Sequence, residues 1–174
     1  MRSFCSKFTL LILSCGLAAV VNTAAEEPMV DNTDRGFIKS VYQNGLYEIQ
    51  MGALGKSKSA SAEVKAFGEQ MIADHGKANA EVKILAASKK VELAAEPALL
   101  GEAKYKFLEM KSGADFDKAF AARMLDDQKK AVKVFEKVAE EAKDADVKAF
   151  AIKMLPTVKM HLSMAEELQK KTAK

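Results

Sequence analysis

Between Phe37 and Leu168 the apolar residues recur every three or four positions in four stretches of similar length, a period that belongs to helices. At 3.6 residues per turn, Phe37, Val41, Gly45, Glu48 and Gly52 share one face of a first long helix that ends near Lys58, with Thr33 or Asp34 as its expected N-cap. Ser59 to Ser61 breaks the pattern. Ser61 then caps a second helix, Ala62 to about Lys89, whose inner stripe is Val64, Phe67, Gly68, Met71, His75, Ala78, Val82 and Leu85. The segment "VELAAEP" interrupts again, and Pro97 suits the first turn of a short helix through about Lys111. Asp115 opens a third long helix to about Lys143, striped by Phe116, Phe120, Met124, Gln128, Ala131, Phe135 and Val138. Asp144 and Asp146 open a fourth, to about Lys170, striped by Val147, Phe150, Met154, Val158, His161, Ala165 and Leu168.

No run alternates with period two, and no Asn-Gly or Asp-Gly turn is flanked by such runs, so the expected class is all-α. Four helices of about 25 residues, each about 37 Å long, predict a four-helix bundle made of two antiparallel hairpins. The roughly 25 residues between the hairpins, half of them helical, are long enough to cross the bundle. The expectation is therefore a ferritin-like fold with a short extra helix in the crossover between the second and third long helices. A plain up-and-down bundle is the alternative. The stripes predict that Phe67, Met71, Phe120, Met124, Phe150 and Met154 meet in one core.

The opening, "MRSFCSKFTLLILSCGLAAVVNTAAEEP", has a basic end, an apolar run from Phe8 to Val21 and small residues before Glu26, the pattern of a secretory signal. Residues 1–25 read as that signal, 26–33 as a flexible lead-in and 34–174 as the helical domain, which puts the mature protein in the periplasm or cell envelope. "ILSC" before Gly16 also loosely resembles a lipoprotein cleavage box ending at Cys15, but the apolar run continues past it. Both cysteines, Cys5 and Cys15, fall in the leader, so no disulfide is expected after cleavage. No later stretch is long and apolar enough to span a membrane. The 27 Lys and Arg nearly balance the 24 Asp and Glu once Arg2 and Lys7 leave with the signal, so the charge gives no reason to expect a nucleic-acid partner.

Each long helix carries one large polar residue on its inward face: Glu48, His75, Gln128 and His161. All four lie near the helix midpoints, so antiparallel packing would place them in one polar layer. In the preferred reading the layer is structural, with neutral histidines hydrogen-bonded across the bundle and no cofactor. The alternative is a transition-metal site using Glu48, His75 and His161, with Asp74 or Asp127 as further ligands or as partners that orient them. A di-iron carboxylate site would want Glu-x-x-His on two helices, and Ile72 and Val158 stand three residues before the two histidines. Met154, Met160 and Met164 around His161 would suit copper(I), although methionine also fills helical cores. No cysteine remains in the mature chain and no G-x-S-x-G motif occurs, which argues against nucleophilic catalysis.

The stretches "GLYEIQMGALGKSKSASAEVKAFGEQMIADHGKANAEVKILAASK" and "FDKAFAARMLDDQKKAVKVFEKVAEEAKDADVKAFAIKMLPTVKMHLSMAEEL" resemble the bacterial DUF4142 family, a domain of unknown function often labelled an outer-membrane protein. The resemblance runs from about Phe37 to Leu168. It implies a ferritin-like bundle in the periplasm or envelope, with no established activity. Glu48 matches the family's first-helix glutamate, Asp74 and His75 its first Asp-His pair, and His161 the histidine after the Leu-Pro of the fourth long helix. At Asp127 and Gln128 the family shows a second Asp-His, so this chain has an amide where an imidazole is usual. That departure weakens the metal alternative here.

Overall fold

The computed structural model describes residues 31 to 173. The signal segment, the Cys15 alternative and most of the 26–33 lead-in lie outside the described residues. Within them the chain forms five helices and no strand: α1 Asn32–Lys58, α2 Ala62–Ser88, α3 Leu99–Glu109, α4 Gly113–Glu141 and α5 Ala145–Thr172. None is long and apolar enough to cross a membrane.

Local chemistry sets the helix ends. Ser61 caps α2 by accepting from Val64 N–H, and Asp144 caps α5 by accepting from Asp146 and Val147 N–H. The cap of α1 is Asp31, which accepts from Thr33 N–H, and not Thr33 or Asp34. Asp34 is buried instead, and its carboxylate accepts from the backbone N–H groups of Lys143 and Asp144 at 3.0 and 2.8 Å. This ties the first turn of α1 to the α4–α5 connection. Helix α4 begins at Gly113, two residues before the expected Asp115, on a positive φ of 55° that glycine tolerates. Lys90 takes a similar φ of 52° just past α2, where Val91 N–H returns to the Ala86 carbonyl at 2.8 Å.

Helix α1 pairs with α2 and α4 with α5, and the two hairpins meet through α2 with α5 and, less extensively, α1 with α4. Cross-helix contacts give the directions. Along α1 and α4, Asp34 meets Lys143, Phe37 meets Phe135, Tyr47 meets Asp127 and Gly55 lies against Phe120, so these helices are antiparallel. Glu81 with Lys153, Asp74 with His161 and Glu63 with Lys171 make α2 and α5 antiparallel as well. Helices α2 and α4 therefore run the same way, and residues 89–112, including α3, return along the length of the molecule between them.

The α1–α2 crossing is close because it is built on glycine. A Cβ on Gly52 would come within 2.6 Å of the Gly68 carbonyl oxygen; where α1 meets α4, one on Gly55 would come within 2.8 Å of the Phe120 ring. At Gly45 the missing side chain makes room for the amide of Asn79.

The apolar interior divides into two clusters. One joins Phe67, Met71, Phe116, Phe120 and Met124 with Met51 and Leu108. The other joins Phe37, Phe135, Val147 and Phe150 with Val82, and Met154 packs against it only partly buried. The single core expected from the stripes is thus two, because the polar level of Glu48, Gln128 and His161 lies between the halves along each helix.

Candidate functional site

A cavity of about 540 Å³ lies between the hairpins, running from the polar level toward Phe37, Val138 and Phe150. Its walls include Glu48 from α1, Asp74, His75 and Asn79 from α2, Lys104 from α3, Asp127 and Gln128 from α4, and His161 from α5. Val41, Ala131, Val138 and Met154, which the stripes assign to the core, are only half-buried, and all four line this space. The stripes point inward as expected; the interior they face is partly open.

The six candidate residues of the sequence are brought to this region and separate into two arrangements. The first is around His161, which is 2 % exposed and whose Nε2 lies 2.9 Å from Asp74 Oδ2. Gln70 donates to the same carboxylate oxygen at 2.7 Å. Partial burial raises the Asp74 pKa, but the hydrogen bonds from Gln70 and His161 and the His161 and Lys77 charges outweigh it, leaving the carboxyl below its ordinary value. An ionised carboxylate only accepts, so His161 Nε2–H is the donor and Nδ1 carries a lone pair. That Nδ1 is buried with no partner. The His75 ring sits with its centroid 5.3 Å from that of His161, and its Nε2 is also buried without a partner. Burial pulls the His75 pKa down to about 3, with His161 adding and Asp74 opposing. Burial lowers His161 too, against the Asp74 hydrogen bond and charge. Burial thus favours the neutral form of both imidazoles.

The second arrangement surrounds Asp127. Tyr47 donates to its Oδ2 at 3.0 Å and Lys104 to its Oδ1 at 2.6 Å. Lys104 also stands 5.3 Å from the centre of the Tyr47 ring, and a Cβ on Gly101 would reach that ring at 3.0 Å, so α3 is seated on α1 and α4 at this point. Burial, then the Asp127 and Glu48 charges, push the Tyr47 hydroxyl far above its usual range.

Glu48 stands between the two. It is 6 % exposed, no hydrogen bond reaches its Oε2, and burial, reinforced by Asp127 and opposed by Lys104, raises its carboxyl to about 8. Gln128 makes one long contact, Nε2 to Met71 Sδ at 3.9 Å. The polar level is therefore not bonded across as the structural reading expected: Gln128 and Glu48 have no bond to either histidine.

Sequence reasoning passed over Asn79. It is 6 % exposed, both its Oδ1 and Nδ2 are without partners, and it lines the cavity one turn after His75. The i, i+4 spacing from His75 was the available signal, which the stripe through Ala78 hid. Among the described residues no three His, Asp or Glu side chains gather so as to hold a metal ion.

No curated protein and no solved structure matches the chain. A family model does, across residues 19–168. The chain belongs to the family described as Domain of unknown function (DUF4142).

Proposed function

We propose that this chain is an exported, non-enzymatic binding protein of the bacterial periplasm or cell envelope, a ferritin-like four-helix bundle whose internal cavity receives a small ligand. The co-directional α2 and α4, joined by a crossover carrying α3, support the ferritin-like topology. The apolar leader supports export. A role in stress tolerance would follow from what the cavity captures.

The observation that carries the binding role is the cavity itself, about 540 Å³ between the hairpins, with Phe37, Phe135 and Phe150 among its apolar lining and Glu48, His75, Asn79 and His161 among its polar lining. A largely apolar space of this size with a few polar residues on its wall is the usual form of a small-molecule site. Among the described residues no hydroxyl hydrogen-bonds to either imidazole, so the site lacks a nucleophile with its base. The test is native mass spectrometry with elemental analysis of protein purified from the periplasm. A stoichiometric bound organic molecule is expected; protein of bare mass, with no ligand captured from cell extract, would overturn the reading.

A second reading, a transition-metal site, is favoured by one observation. The Asp74–His161 hydrogen bond fixes the imidazole as a ligating histidine is commonly fixed, with the opposite nitrogen free. Glu48 and His75 would have to turn toward Nδ1 to complete it. Zinc, copper or iron should then raise the melting temperature of wild type but not of His75→Ala or His161→Ala, and Gln128→His should strengthen the effect.

A further inference from the structure

Helix α3 has 11 residues, about 16 Å of helix, and lies over the α1–α4 seam where Gly101 faces the Tyr47 ring and Lys104 reaches Asp127. Helices α1 and α4 each run about 40 Å, so α3 covers less than half of their seam. Toward the start of α1 the cavity opens along it: Thr33, Ser40 and Asn44 on α1, and Lys130, Val134 and Lys137 on α4, line the space and are exposed. Behind this rim the wall is hydrocarbon, with Phe37, Phe135, Val138, Phe150 and Met154.

Charge divides the lining in two. The acids, Glu48, Asp74 and Asp127, lie at the inner, polar end and are answered there: Asp74 by His161 and Gln70, Asp127 by Tyr47 and Lys104, and Glu48 by burial that holds it toward its protonated form. The rim carries no acid. Its α1 side is uncharged, and its α4 side sets Lys130 and Lys137 one turn before and one turn after Val134, itself 47 % exposed. The partners of these lysines, Asp126 and Glu141, are exposed acids four residues away on the same helix, the second at 3.8 Å, and neither lines the cavity. Exposed pairs of this kind contribute little, so an incoming anion displaces them readily.

Resting on the reading of the cavity as a ligand site, we propose that its ligand is a single-chain amphipathic anion, a free fatty acid, with the chain along Phe37, Phe135 and Phe150 and the carboxylate at the rim with Lys130 and Lys137. From Phe37 to Glu48 the wall is about 16 Å long, the length of an extended chain of about ten to twelve carbons. A volume of about 540 Å³ holds one such chain, whereas a membrane phospholipid brings two longer ones.

Isothermal titration of the purified protein with decanoate, 1-decanol and decyltrimethylammonium compares three head groups on one chain. Decanoate should bind at one per chain and about fivefold or more tighter than the alcohol, with the cation weakest, and its advantage should shrink as salt is raised. The double variant Lys130→Gln/Lys137→Gln changes only exposed side chains and should bring decanoate down to the alcohol's affinity while leaving the alcohol unchanged. Ala131→Phe places a ring in the cavity and should abolish binding of all three while the protein still melts cooperatively. Equal or tighter binding of the alcohol or the cation, or a decanoate preference that survives loss of both lysines, overturns the anionic head group and leaves the ligand cavity standing. Capture of phosphatidylglycerol from vesicles in preference to decanoate overturns the single-chain assignment. No binding of any of the three, together with ligand-free protein from the periplasm, overturns both readings. Binding that survives Ala131→Phe places the site elsewhere and overturns the proposal.

Discussion

His161 on α5 donates its Nε2 hydrogen to Asp74 on α2 across 2.9 Å, with both side chains largely shielded from water. The pair joins the two hairpins at mid-height and fixes which nitrogen of His161 is bonded. Asp74→Ala should destabilise the fold by about 1 to 3 kcal/mol, because a buried donor loses its acceptor. In a denaturation cycle with His161→Phe, the double mutant should lose less than the sum of the singles. Strict additivity would show that the bond contributes nothing to joining the hairpins.

Glu48 and His75 give stability opposite dependences on pH. The Glu48 carboxyl, at about 8 in the folded chain against 4.5 ordinarily, holds a proton the unfolded chain has released, so it lowers stability as pH rises from about 4.5 to 8. His75, at about 3 against 6.5, resists a proton the unfolded chain takes up, so its contribution is lost as pH falls from about 6.5 to 3. The two effects oppose each other between about 4.5 and 6.5, and His161, which burial also lowers, adds to the histidine side, so urea denaturation should show a shallow rise with pH there. From pH 6.5 to 8 stability should fall by about 2 kcal/mol. Glu48→Gln should remove that alkaline fall; its persistence in the variant would assign it to another group.

Glycine substitutions should split by location. A methyl on Gly52 would meet the Gly68 carbonyl oxygen at 2.6 Å, while nothing lies within 4 Å of one on Gly76. Gly52→Ala should destabilise by about 1 to 3 kcal/mol through forced separation of α1 and α2. Gly76→Ala should stabilise by about 0.5 to 1 kcal/mol, since alanine loses less backbone freedom in a helix. Lys90→Gly should also stabilise, by about 1 kcal/mol, by relieving a positive φ of 52°. Melting temperatures of the three variants check the set.

The two apolar clusters should respond unequally to truncation. Phe67 packs edge-on against Phe120 in the closed cluster, and Phe67→Ala should cost about 3 to 5 kcal/mol. Phe150 borders the cavity, so part of its surface already lacks packing partners, and Phe150→Ala should cost about half as much. Equal losses in chemical denaturation would mean that the cavity end is as tightly packed as the other.

Export predicts a processed chain. N-terminal sequencing of protein from the periplasmic fraction should begin at or near Glu26. A diacylated Cys15 would make the protein a lipoprotein, and an intact leader in the cytoplasm would remove the compartment on which the binding role depends.

The sequence by itself determined the helices, their ends to within about two residues, and the faces they turn inward, because these follow from a local period and from caps such as Ser61 and Asp144. It also placed Glu48, His75, Gln128 and His161 at a common height, since midpoints of equal antiparallel helices coincide. Only the tertiary structure decided what that level is. Whether Val41 and Met154 pack or face empty space depends on how far apart the hairpins stand, which Gly55 against Phe120 at one level and Tyr47 with Asp127 and Lys104 at another fix between residues distant in the chain. The pairing of Asp74 with His161, and the absence of any partner for Asn79, likewise arise between helices, where periodicity along one chain carries no information.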